Sequence, residues 1–376
     1  MSSGRRRLLV ALVGGIGFMA AALLYLGLRP NTAQVEPALR LESWDVVADG
    51  EHNSNTDMIL WRDDLLLVHA ASPWHLGSTR SRLLVKRSTD GRRWETLATL
   101  QIPGHDVRDP KLAVIGGRLF LYALPNEGLM ATPTGTVLAT SDDAVRWTPF
   151  EPVGPEGWLF WRPKTRDGRT WYVSAYWHEH GESILLRSGD GRTWERISRI
   201  HRGDANDETA IEFLPDGRLL ATARLEVTPD SLLGNAGAGT LLAVAEPPYR
   251  EWTTRRSQVT RLDGPVLFRH EDVVYAVARS QPGRRGPLTR LGGSFSRKRT
   301  ALYRVEPERL VHLSDLPSAG DTSYAGVALR DGDLWIDYYT SRVDRDYPWL
   351  LGMFLPTDVR MAKLPLASLR ALSDAR

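Results

Sequence analysis

The nine residues "RSTDGRRWE", Arg87–Glu95, return almost unchanged as "RSGDGRTWE", Arg187–Glu195, and a weaker copy, "TSDDAVRW", Thr140–Trp147, lies between them. Each copy follows a short apolar run and none sits in a helical pattern, so the three mark a unit of roughly fifty residues. Within a copy the Ser and Asp side chains can accept N–H groups of their own turn. The Gly can take the left-handed conformation, and the Trp can pack between sheets. The repeat therefore reads as a structural staple on a turn, and Asp90 and Asp190 are not expected to be catalytic.

Outward from the repeat, paired apolar runs flank tight turns six times: "LWRDDLLLVHA" from Leu60, "AVIGGRLFLYA" from Ala113, "KTRDGRTWYVSA" from Lys164, "FLPDGRLLATA" from Phe213, "LFRHEDVVYAVA" from Leu267 and "ALRDGDLWIDYY" from Ala328. Asp-Gly and Gly-Gly suit such turns because both central residues can adopt positive φ. After the first three hairpins come a third strand, the repeated turn and a fourth strand. Four strands per unit and six units predict an all-β, six-bladed β-propeller.

The 376 residues are 42% hydrophobic, with 13 Trp and no Cys, so the core and not disulfides must hold the fold. The net charge of +3 is matched by Arg5, Arg6 and Arg7 alone, which leaves a near-neutral remainder and argues against a nucleic-acid partner. Those arginines precede "LLVALVGGIGFMAAALLYLGL", Leu8–Leu28, which carries no charge. The stretch suffices to span a hydrocarbon core of about 30 Å and exceeds the usual apolar run of a cleaved signal peptide. It predicts an Arg-rich cytoplasmic tip (1–7), a transmembrane anchor or uncleaved signal (8–28), a linker (29–40) and an extracytoplasmic propeller (41–376).

In a propeller the innermost strands line the central funnel, and here they are rich in polar residues. Blade one offers His52, Asn53 and Asp57; blade two Asp106, Arg108 and Asp109; blade three Arg162; blade four Asn206 and Glu208; blade six Asp321, Ser323 and Tyr324. Such clusters are either structural ion pairs or a site, and their recurrence over five blades favours a site.

The motif Ser-x-Asp-Gly-x-x-Trp at 88–94 and 188–194 resembles the Asp-box of sialidases in a form shortened by one residue. The resemblance extends over about residues 50 to 340. It implies a blade-four glutamate at Glu208, an arginine one hairpin later at Arg224, a blade-five arginine at Arg279 and a blade-six tyrosine at Tyr324. In sialidases arginines hold the sugar carboxylate bidentately, as a planar guanidinium can. A neutral Tyr, activated by a carboxylate, replaces the carboxylate nucleophile that the sugar would repel. The sequence departs from that pattern in two places. The blade-one Arg-Ile-Pro is replaced by "HNSNTDMIL", and "ASPWHLGSTRSR", where an acid/base Asp belongs, has no acidic residue. Arg108 or Arg162 would then replace the arginine, with Asp57 or Asp109 as the acid and His52, Asn53 and Asp321 completing the substrate site.

The resemblance implies a retaining, sialidase-like exo-glycosidase acting on extracytoplasmic glycans, with no cofactor and no metal. The alternatives are a non-catalytic glycan- or protein-binding propeller and a furanosidase-like two-carboxylate hydrolase. Of the remaining features, "WHEH", Trp177–His180, shows no third metal ligand, and the basic run Arg284–Arg299 reads as a solvated insertion.

Overall fold

The computed structural model describes residues 3–28, 33–228, 232–282 and 290–376. Among these the strands form six antiparallel sheets, and every hairpin expected above supplies the inner pair of one. Blade one comprises His52–Trp61, Asp64–Ser72, Arg82–Ser88 and Glu95–Leu100; blade two Asp106–Ile115, Arg118–Asn126, Thr136–Ser141 and Glu151–Val153. Blade three runs from Trp158–Phe160, with Lys164–Thr165 beside it, through Trp171–Trp177 and Glu182–Ser188 to Glu195–Arg202. Blade four holds Asn206–Phe213, Leu219–Leu225, Gly239–Ala245 and Thr253–Ser257; blade five Asp263–His270, Val273–Ser280, Arg299–Val305 and Leu310–Asp315. In blade six Thr322–Arg330, Asp333–Thr340 and Asp358–Pro365 are completed by the N-terminal strand Glu42–Val47, which pairs with the third in a register that joins Glu42 to Lys363. Inner strands of neighbouring blades abut, blade six against blade one, so the ring closes.

The apolar core lies in layers between blades, as face-to-face sheet packing requires. The repeated turns lock those layers. In the first copy Ser88 Oγ accepts from Gly91 N (2.8 Å), and Asp90 Oδ1 accepts from Arg92 N and Arg93 N (both 2.8 Å). The second copy repeats this at Ser188 and Asp190, and the weaker copy at Ser141 and Asp143. The left-handed residue is Gly91, Gly191 or, in the weaker copy, Ala144 at φ 63°. A Cβ on Gly91 would meet the Trp335 ring of blade six at 2.2 Å, and one on Gly191 would meet Ile115 of blade two at 2.5 Å. Each turn thus seats its Gly against the preceding blade. A fourth turn of the same geometry, Thr165–Trp171, sits on the inner hairpin of blade three; its sequence, "TRDGRTW", carries the repeat's pattern with Thr in place of Ser, although the spacing above marks it only as a hairpin turn.

Three features go beyond the sequence reading. Part of the expected linker lies against blade five: Gln34 N donates to Asp315 and Glu36 N to Ser314 Oγ (both 2.9 Å), and Leu39 is buried. A C-terminal helix, Leu366–Asp374, packs Leu366, Leu369 and Leu372 into the same core cluster as Leu39. In the basic run Arg284–Arg299, residues 284–289 lie outside the described residues, but its end is not a solvated insertion. Lys298 and Arg299 are buried, donating to Gln281 Oε1 and Asp346 Oδ1 (both 2.8 Å).

The N-terminal segment forms a helix, Ser3–Leu28, with Val10, Leu12, Val13, Ile16, Phe18 and Met19 exposed. Among the described residues no helix is long and apolar enough to cross a membrane. The side chains at 8–9 and 23–28 of the expected span lie outside the described set.

Candidate active site

Five of the six inner strands break register at the same place. The irregularities fall between Ser54 and Asp57, Arg108 and Lys111, Asp207 and Ala210, Asp263 and Val266, and Ser323 and Gly326. A bulge leaves a residue out of the ladder and re-aims its side chain. The sixth inner strand is instead interrupted at 161–163, between Trp158–Phe160 and Lys164–Thr165. The bulged segments contain Asn55 (φ 48°), Asp109 (φ 49°), Glu208, Gly264 (φ 59°) and Tyr324 (φ 49°). For Tyr324, preceded by Ser323 at φ 97°, this is a strained backbone of the kind that surrounding structure must enforce.

Three of these bulges meet. The Tyr324 hydroxyl donates to Glu208 Oε1, and Gly264 N donates to Glu208 Oε2 at 2.8 Å. A Cβ on Gly264 would lie 2.6 Å from Tyr324 ring atoms, so blade five both holds the carboxylate and leaves space for the phenol. Arg224 closes the group, with Nη1 2.9 Å from Glu208 Oε2 and its other face paired bidentately with Asp207. Burial, against the pull of Arg224, pushes Glu208 up to about 7, and Asp207 and Asp263 add to the rise. Burial and then the Glu208 charge raise the Tyr324 phenol well above its ordinary value. A phenol that holds its proton beside a carboxylate titrating near neutrality forms a nucleophile–base pair.

Arg279 stands on the other side of Tyr324, its guanidinium carbon 4.9 Å from the ring centroid. Its donors go to Thr322 O (2.8 Å), Tyr339 Oη (2.8 Å) and Asp321 Oδ1 (3.1 Å). A chain of alternating charges runs through the site. His180 faces Asp207 and Glu226, Arg261 joins Glu226 to Asp263, and Arg279 joins Asp263 (4.0 Å) to Asp321. His180 thereby meets two carboxylates that the "WHEH" motif alone does not reveal. The two guanidinium groups expected to hold a substrate carboxylate already have acidic partners in the chain: Asp207 and Glu208 at Arg224, and Asp321 at Arg279 Nη2, while Arg279 Nη1 has no carboxylate nearer than Asp263 at 4.0 Å.

Of the residues expected at the site, Tyr324, Glu208, Arg224, Arg279, Asp321 and His52 form this connected group. Asp109 is half-buried, has Oδ1 without a hydrogen bond, and is near enough for its charge to act on Tyr324 and Tyr339. The geometry places the others in the scaffold. Asp57 is buried, paired with Arg162 (2.8 Å) and accepting from Leu112 N (2.7 Å), which leaves it no free oxygen for acid catalysis. Arg162 also donates to Pro265 O and Ala325 O, tying three inner strands together at the axis. Asn53 spends its Nδ2 donors on Asp49 (2.8 Å) and Thr357 O (3.1 Å). Arg108 pairs with Asp106 and donates to His75 O (2.6 Å), positioning the loop after blade one's second strand.

The sequence reading passed over Gly264, Asp207, Arg261, His75 and Trp349. One signal was present. Asn55, Asp109, Gly264 and Tyr324 each stand seven residues ahead of a positive-φ residue in the following hairpin turn: Arg62, Gly116, Glu271 and Asp331. Aligning the inner strands on their turns would have selected Asn55 over Asp57 and brought Gly264 into view.

No family model matches the chain, and no curated protein matches it. Solved structures do. A protein of unknown function from Dyadobacter fermentans is similar at TM-score 0.61 and 14% identity, over 86% of this chain and 99% of that one. The endosialidase of phage phi92 is similar at TM-score 0.61 and 12% identity, over 86% and 69%. Trypanosoma rangeli sialidase, in complex with sialic acid, is similar at TM-score 0.64 and 12% identity, over 91% of this chain. The match spans 61% of the trypanosome enzyme's length. At such identities the likeness shows the fold: this chain is an all-β six-bladed propeller, similar in fold to these sialidases.

Proposed function

We propose that the protein is a sialidase-like retaining exo-glycosidase acting on extracytoplasmic glycans, with Tyr324 as nucleophile and Glu208 as its base. The observation that carries this reading is the hydrogen bond from the buried Tyr324 hydroxyl to Glu208. Tyr324 Oη attacks the anomeric carbon as Glu208 takes its proton, the glycosidic C–O bond breaks, and an acid delivers a proton to the departing oxygen. Asp109 is the candidate acid, being half-buried and without an ion-pair partner among the described residues. Water then hydrolyses the glycosyl–tyrosine intermediate, with the two proton carriers reversing roles.

The occupied arginines favour a second reading of the substrate. An acidic sugar would have to displace Asp207 or Asp321 from a paired guanidinium, whereas a neutral sugar would not, so the same Tyr324–Glu208 pair would serve a neutral glycoside. Aryl glycosides, both sialosides and neutral sugars, separate these cases. Tyr324→Phe, which keeps the ring, is expected to lower turnover by 10³-fold or more in either case (about 4 kcal/mol). A slow fluorinated glycoside should leave its sugar on the peptide containing Tyr324, read by mass spectrometry. Equal turnover by wild type and Tyr324→Phe removes the nucleophile assignment. Binding without turnover on every sugar leaves a glycan-binding propeller.

We further propose that residues 8–28 anchor the chain in a membrane with the propeller outside. The uncharged stretch beside Arg5–Arg7 supports this, as does the exposed apolar surface from Val10 to Met19.

A further inference from the structure

Beside the Tyr324–Glu208 pair, a second cluster joins blade one to blade six. Asp321 Oδ2 lies 2.6 Å from His75 Nδ1 and 3.2 Å from His52 Nε2, and the three atoms fall within 4.8 Å of one another. His52 and Asp321 have no exposed side-chain surface, while 16% of the His75 side chain is exposed.

The tautomer of His52 is set by its other nitrogen. Nδ1 lies 2.8 Å from Leu355 O, a carbonyl that can only accept, so Nδ1 donates there and the ring is turned with Nε2 towards Asp321. Nε2 stands 3.2 Å from Asp321 Oδ2 without an aligned hydrogen bond. A buried ring nitrogen and carboxylate so placed need a positive charge between them, which a proton or a metal ion can supply. A ring nitrogen held by a backbone carbonyl, with its other nitrogen free, is also how metal-binding imidazoles are oriented.

The surroundings fix the remaining groups. Asp321 Oδ1 accepts from Trp349 Nε1 (2.8 Å), Tyr339 Oη (3.1 Å) and Arg279 Nη2 (3.1 Å), which leaves Oδ2 to the imidazoles. His75 is held through its backbone, N to Met353 O (2.9 Å) and O from Arg108 (2.6 Å), and its ring meets the Trp349 ring edge-on at 5.9 Å. Ligand atoms about 2.0–2.1 Å from a tetrahedral zinc ion stand about 3.3 Å apart. The His52–Asp321 separation already matches that spacing, the His75–Asp321 pair opens to it from 2.6 Å, and the two imidazole nitrogens stand within 4.8 Å of one another.

We propose that His52, His75 and Asp321 form a binding site for a divalent first-row transition ion of the zinc type, with one carboxylate oxygen, two neutral imidazoles and an open position on the exposed side of His75. Two nitrogens and one oxygen with room for a fourth ligand is the donor set of an open zinc or ferrous site. The other His–carboxylate cluster, His180 with Asp207 and Glu226, lacks these features. It offers a single imidazole against two carboxylates, and its Nδ1 lies between them at 3.3 and 3.2 Å.

The test uses the purified full-length chain, stripped with a chelator and titrated with cobalt(II) chloride, then with zinc chloride. The expected result is one cobalt per chain, a visible d–d spectrum of low-symmetry N/O coordination, and displacement of cobalt by zinc. His75→Ala and the gentler His75→Gln should each weaken binding by about tenfold or more and abolish the spectrum, while His180→Ala leaves both unchanged. Circular dichroism of each variant establishes that it is folded. Absence of stoichiometric cobalt, a spectrum that survives both folded His75 variants, or one lost in folded His180→Ala overturns the proposal. The readout is metal binding alone, so its failure is separate from that of the glycosidase reading.

Discussion

Glu208 carries the strongest chemical signature of any single residue, because burial and function act on one carboxyl group. Its folded value near 7 stands above the ordinary value of 4.5. As a base it must be ionised, so turnover should rise with pH through about 7, and Glu208→Gln should remove both that limb and most of the rate. Stability runs the other way. Asp337, buried on blade six, is also raised by burial to about 7, from 3.8. A carboxyl group with a raised folded value keeps its proton in the native state while the unfolded chain has lost it. The stability present below about pH 4 is therefore lost as pH rises to 7, at about 1.4 kcal/mol per pK unit for each group. His69, lowered by burial to about 3, acts in the opposite sense over the same range, so the test is differential: between pH 5 and 8 the urea midpoint of Asp337→Asn should fall less, or rise more, than that of wild type. An equal pH dependence in the two chains would mean that Asp337 is not raised. At this scale the sequence was legible in part. Glu208 and Tyr324 stand out on the inner strands and the resemblance to sialidases adds Arg224 and Arg279, but nothing in residue type distinguishes Asp57, neutralised by Arg162, from Asp109, which has no such partner.

At the scale of the element, the repeated turn is separable from the chemistry. Trp194 is buried, donates from Nε1 to Gly191 O (3.1 Å) and meets the Phe160 ring edge-on at 5.4 Å, between blades two and three. Trp194→Ala should lower stability by about 3–5 kcal/mol while the folded fraction keeps wild-type turnover per molecule. A variant with wild-type unfolding but lost turnover would move the repeat from scaffold to site. Hairpins were legible because turn chemistry is local: Gly116–Gly117 and Gly332 sit at positive φ, as their turns require. The inner-strand bulges were not, because an extra residue in a strand disturbs alternation only slightly and its consequence appears only when the blades converge. The interruption of blade three at 161–163 belongs to the same class, since "WLFWRP" reads as one apolar strand until Trp161 Nε1 is seen to reach Pro265 O (2.6 Å) on blade five.

At the scale of the molecule, composition and repeat spacing led to the ring, and the manner of its closure stayed hidden because strand pairing across the whole chain leaves no local mark. The full chain should sediment with membranes and be released by detergent, a C-terminal reporter should be active only outside, and a chain beginning at residue 33 should be recovered folded in the soluble fraction. Full-length expression that yields soluble protein lacking residues 1–28 would make the segment a cleaved leader.

The strand Glu42–Val47 is among the first parts of the propeller to be synthesised, yet its partner Asp358–Pro365 is among the last. At ordinary elongation rates the interval is roughly 15–60 s, during which blades one to five can fold while this strand has no sheet to join. An unpaired strand is an invitation to foreign pairing, and its composition answers that hazard. "ESWDVV" carries Glu42 and Asp45, and Val47 alone is buried after assembly. The segment that fastens the ring is therefore also one that can wait in water without sticking.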